Sequence, residues 1–72
     1  MSESTRIMKD IDLFEKNIGK VTGLNTQPVE LAQQYCTDAR YYLEKKDYFT
    51  AFGCINYAHG LLDAVRMLSQ NL

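Results

Sequence analysis

Apolar side chains recur at steps of three and four along almost the whole of this chain, and the pattern breaks in only two places. Such a period belongs to helices with one buried face, and no stretch shows the strict alternation of a half-buried strand. The first segment, about residues 3–22, carries Ile7, Ile11, Phe14, Ile18 and Val21. The second, about 28–45, carries Val29, Ala32, Tyr35, Cys36, Ala39, Tyr42 and Leu43. The third, about 48–70, carries Ala51, Cys54, Ile55, Ala58, Leu61, Leu62, Val65 and Leu68. The expected fold is all-α: one domain over residues 1–72, a three-helix bundle whose second and third helices form a tight antiparallel hairpin.

The two breaks have local causes. Around Gly23-Leu24-Asn25-Thr26-Gln27-Pro28, glycine weakens one helix, Asn25 or Thr26 can cap the next, and the only proline falls in a first turn, where its missing N–H costs little. At Lys45-Lys46-Asp47 two cations meet the negative end of a helix dipole, and Asp47 is suited to cap the third helix. The apolar residues of the third helix cover an arc of roughly 130°, enough to face two neighbours, so this helix is expected at the centre. Gly53 and Gly60 share one flank of it near Ala64. Each glycine costs about 1 kcal/mol against alanine in a helix, and close approach by the backbone of helix one is the simplest compensation.

A 72-residue chain buries only about 60% of the surface its unfolded form exposes, so its core is either efficient or shared with another chain. Hydrophobic residues at 46% against 24% charged are too many for disorder. The net charge of −1 gives no general attraction to phosphate backbones, and acidic residues intersperse Lys9, Lys16, Lys20, Lys45 and Lys46. Nucleic acid is therefore not the expected partner. The N-terminus lacks a signal-peptide pattern and no apolar run reaches the ~20 residues of a membrane span, so the reading is cytoplasmic, with no membrane. Cys36 and Cys54 form no Cys-x-x-Cys pair, and the hairpin register offsets them by about 6 Å along the helix axes. Both are expected to be buried, reduced thiols.

Helices two and three resemble a single tetratricopeptide-type hairpin: Tyr35, Ala39 and Tyr42 on one side, Ala51, Ile55 and Ala58 on the other, with Lys46-Asp47-Tyr48 at the turn. Asp38, Asp63 and the lack of a second copy depart from that motif. A broader resemblance, through Tyr41-Tyr42-Leu43-Glu44, Asp47-Tyr48-Phe49 and Tyr57-Ala58-His59-Gly60-Leu61-Leu62-Asp63-Ala64, is to the archaeal proteins of domain of unknown function 357. It implies a three-helix fold and an archaeal, intracellular setting, and it carries no activity to transfer.

Chemistry is sparse. One histidine and two apolar-face cysteines make no zinc set, and neither a Gly-rich phosphate loop nor a Gly-x-Ser-x-Gly elbow occurs. The Arg-then-His signature of one class of helical ribonucleases is missing, because the nearest arginine before His59 is Arg40. No cofactor is expected. What stands out is a polar stripe along helix three, Asn56, His59, Asp63 and Arg66, in which His59 and Asp63 could pair one turn apart. Tyr41, Tyr48, Phe49 and Phe52 add an aromatic patch toward the hairpin end. A solvated face is the plain reading of the stripe. The expected function is a non-enzymatic interaction module, binding a protein partner or itself through Tyr41, Tyr48, Phe49, Phe52, Asn56, His59, Asp63 and Arg66; the alternative is a small enzyme or ligand-binding domain using the stripe.

Overall fold

A computed structural model describes residues 2–21 and 26–70, with side chains outside the description at residues 26 and 68–70. Three helices follow one another: α1 (Glu3–Ile18), extended by a single 3-10 turn (Gly19–Val21), α2 (Thr26–Glu44) and α3 (Tyr48–Gln70). They lie within a residue or two of the expected spans, apart from the tightened end of α1. The side-chain oxygen of Ser2 accepts the backbone N–H of Thr5 at 3.2 Å, holding one of the N–H groups that the first turn of α1 leaves unpaired. The proposed caps at Asn25 and Thr26 and the core position at Leu68 lie outside the described side chains.

The α2–α3 turn is stiffer than its sequence suggests. The Asp47 N–H donates to the Tyr42 carbonyl at 2.9 Å and the Lys46 N–H to the Leu43 carbonyl at 3.0 Å. These are the two bonds of a Schellman closure, which needs a left-handed residue at its centre; Lys46 takes that conformation with φ 63°. A left-handed conformation costs an ordinary residue about 1–2 kcal/mol, here offset by the carbonyls it satisfies. Asp47 then accepts the Thr50 N–H on its Oδ1 at 3.2 Å, so one residue both ends α2 and caps α3.

The core is the three apolar seams brought together. Ile7, Ile11, Phe14 and Val21 from the first segment, Ala32, Cys36 and Ala39 from α2, and Ala51, Ile55, Ala58, Leu62 and Val65 from α3 are all buried. Alanines at 39, 51 and 58 let α2 and α3 approach closely, while Ile55 and Leu62 fill the space toward α1. Ile7 lies beside Phe52 and Asp10 beside His59, so α1 runs parallel to α3; Glu15 pairs with Arg40, setting α1 antiparallel to α2. The α2–α3 hairpin is the most extensive packing and α1 leans mainly on α3, which confirms α3 as the central helix.

The glycine expectation fails. Gly53 and Gly60 are exposed, and a Cβ built on either meets nothing within 4 Å. Helix one packs on a different arc of α3, and these glycines lie on the face it leaves open.

Candidate interaction surface

The outer face of α3 is built by the same 100° step that builds its inner one. With Ala51, Ile55, Ala58 and Leu62 turned inward, the opposite arc presents Phe49, Gly53, Asn56, Gly60, Asp63 and Met67. Phe49 is 91% exposed, Met67 64% and Phe52 42%. At the hairpin end Tyr48, Phe49 and Phe52 meet Glu3, Arg6 and Ile7 of α1 around an open cavity of about 260 Å³. Its lining combines four apolar or aromatic side chains with one carboxylate and one guanidinium.

Three of the four aromatic residues expected at this end are thus brought together. Tyr41 is placed otherwise: it is exposed on α2, its ring edge-on to Tyr42 at 5.1 Å between centroids and under the Lys45 Nζ at 5.4 Å.

The polar stripe divides. Asn56 and Asp63 are exposed and Arg66 half-buried. His59 turns toward α1: its Nε2 lies 2.9 Å from the backbone carbonyl of Asp10, and its ring sits edge-on to Phe14, centroids 5.7 Å apart at 85°. A carbonyl can only accept, so Nε2 carries the proton and donates. The pairing of His59 with Asp63 is not present among the described hydrogen bonds; His59 instead ties α3 to α1. The sequence could not announce this, because the partner is a main-chain oxygen 49 residues away.

Other features had no sequence signal or a weak one. Arg40 pairs with Glu15 across α2 and α1, both about half-exposed. Tyr57, exposed, packs its ring on Tyr35 at 4.5 Å. Met67 was legible: it stands 18 residues after Phe49, five full turns, and so shares its azimuth. Both cysteines are free thiols. Cys36 is buried, and burial pushes its thiol pKa up; Cys54 is only half-buried, a departure from the expected burial, and its pKa rises first through desolvation and then through the carboxylates of Asp38 and Asp47. Such thiols are poor nucleophiles. Among the described residues no three of His, Cys, Asp and Glu gather as a metal set, and no helix is long and apolar enough to cross a membrane.

Fold and surface together define a class: a small three-helix bundle whose central helix leaves Phe49, Phe52 and Met67 exposed on its outer side. Within that class the chain belongs to the family described as protein of unknown function (DUF357), whose model matches residues 5–70. A search of curated proteins finds no match.

Proposed function

We propose that this protein is a non-enzymatic interaction module of the cytoplasm, binding protein through the outer face of α3 and the adjoining hairpin end. The observation that carries the reading is Phe49, a whole phenyl ring held 91% exposed on a rigid helix, with Phe52 beside it and Met67 five turns on. A ring left in water forgoes about 1.5–3 kcal/mol of burial, and aromatic and methionine side chains are the ones interfaces collect. The use of His59 Nε2 in a bond between helices supports a structural role for that histidine over a catalytic one. Free thiols at Cys36 and Cys54 suit a reducing compartment.

The test is retention on tagged protein from an archaeal lysate, with wild type and Phe49→Glu run side by side and the chain itself counted as a possible prey. The reading expects a species held by wild type and released by the variant. If wild type retains nothing, itself included, the reading falls.

A further inference from the structure

We infer that the outer face of α3 is covered by a second copy of this chain, packed antiparallel about a two-fold axis that passes between Asn56 and Gly60. This rests on the interaction reading above and names its partner. The face carries a knob and a hollow at opposite ends: Met67, 64% exposed, and the cavity of about 260 Å³ lined by Tyr48, Phe49 and Phe52 together with Glu3, Arg6 and Ile7 of α1. Phe49, at the edge of that cavity, shares the azimuth of Met67 and stands about 27 Å from it at 1.5 Å per residue, while Phe52 lies about 60° round toward α1. A two-fold midway between Phe49 and Met67 lays Met67 of each copy against Phe49 at the edge of the other's hollow, a pair of sulfur–aromatic contacts. Between the ends the face is low on one side of the line, where Gly53, Gly60 and Ala64 lie, while Asn56 and Asp63 stand on the other.

Charge selects the antiparallel arrangement. Across its 23 residues α3 has only Asp63 and Arg66 as full charges. Packed antiparallel, the two Asp63 carboxylates stand about 15 Å apart along the helices, beyond the ~8 Å screening length at physiological salt. Packed parallel, they would face each other, and Met67 would meet Met67 with both hollows empty. The area is sufficient. Five turns of a helix about 10 Å across, with the adjoining end of α1, offer about 500 Å² per copy, reaching the ~1,000 Å² total that a specific interface needs.

The experiment has two parts. Light scattering over a concentration series to 1 mM reads the mass of wild type and of Phe49→Glu, with circular dichroism confirming that the variant keeps its helices. Wild type is expected at twice the 8.3 kDa chain mass, and Phe49→Glu should raise the dissociation constant at least about tenfold. In a Cys36→Ala, Cys54→Ala background, Phe49→Cys and Met67→Cys are then oxidised alone and mixed. The inference expects a crosslink in the mixture and little in either variant alone. Efficient linking of Phe49→Cys to itself would overturn the antiparallel packing. A wild-type monomer at 1 mM, or a dimer indifferent to Phe49→Glu, would overturn the second copy as occupant. Such a monomer that still holds another protein through Phe49 leaves the interaction module standing, whereas one that holds nothing sinks both.

Discussion

Helices α1 and α3 each bury one face in the same core, yet their outer faces are written in different alphabets. Over 16 residues α1 carries Glu3, Arg6, Lys9, Asp10, Asp12, Glu15 and Lys16, and its exposed Met8 and Leu13 sit singly among those charges. Over 23 residues α3 carries Asp63 and Arg66, while Phe49, Phe52, Tyr57 and Met67 reach the surface. Scattered exposed apolar residues are ordinary on any protein; what distinguishes α3 is the withdrawal of charge around them. Of the two, α1 surrounds its exposed apolar side chains with charge and α3 leaves them without it.

Two phenylalanines break or sharpen that contrast most directly. Phe14 is 1% exposed, wedged among all three helices, and Phe14→Ala should remove about 3–5 kcal/mol, a large share of what a domain this size has. Phe49→Ala, in dilute monomeric solution, should stay within about 0.5 kcal/mol of wild type. Urea unfolding of the pair decides it, and a comparable loss at both sites would mean that Phe49 belongs to the core. Next in size is His59→Ala. It forfeits the bond to the Asp10 carbonyl and the edge contact with Phe14, about 1–2 kcal/mol together. Because Asp10 lies within α1, its carbonyl is on the path of the helix's own ladder, so the loss should stop there. An unchanged unfolding midpoint for His59→Ala would return the histidine to the solvated stripe.

The apolar seams were legible because helical burial is periodic, and a period survives in one dimension: Ile7, Ile11 and Phe14 are buried where their spacing put them. The hairpin was legible for a similar reason, since Asp47 caps α3 through its nearest neighbours. What lay beyond reading was contact between distant residues. His59 to Asp10 and Arg40 to Glu15 depend on how α1 lies across the hairpin, which no local pattern encodes. The glycines were misread because a small residue on a helix flank implies a close neighbour only if one occupies that flank. The cost assigned to Gly53 and Gly60 was sound, but α1 lies elsewhere.

Those glycines give the third prediction, of opposite sign. Gly60→Ala should stabilise the dilute monomer by about 0.5–1 kcal/mol, because the alanine Cβ meets no neighbour and the unfolded chain loses freedom. Packing against α1 would instead make the substitution destabilising in the same thermal melt. On the open face the added methyl also stands between two copies, so self-association should weaken as the monomer strengthens. That opposition separates a flank that is merely empty from one that another helix occupies.

The smallest effect tests the other half of the comparison. If the charges of α1 keep that helix wet and do little to hold it down, the Arg40–Glu15 pair should contribute little although it bridges two helices. Both side chains are about half-exposed, so solvent screens the attraction and the pair gains only about 0.2–0.5 kcal/mol, less in added salt. A double-mutant cycle of Arg40→Met and Glu15→Gln, measured by urea unfolding at low and high ionic strength, isolates that coupling from the loss of the arginine's aliphatic stem. A coupling above about 1.5 kcal/mol that persists in 1 M salt would mean that α1 is electrostatically fastened. A coupling near zero leaves Ile7, Ile11 and Phe14, with the His59 bond to the Asp10 carbonyl, as what holds α1 down, its charged side chains serving only to keep the outer face in water.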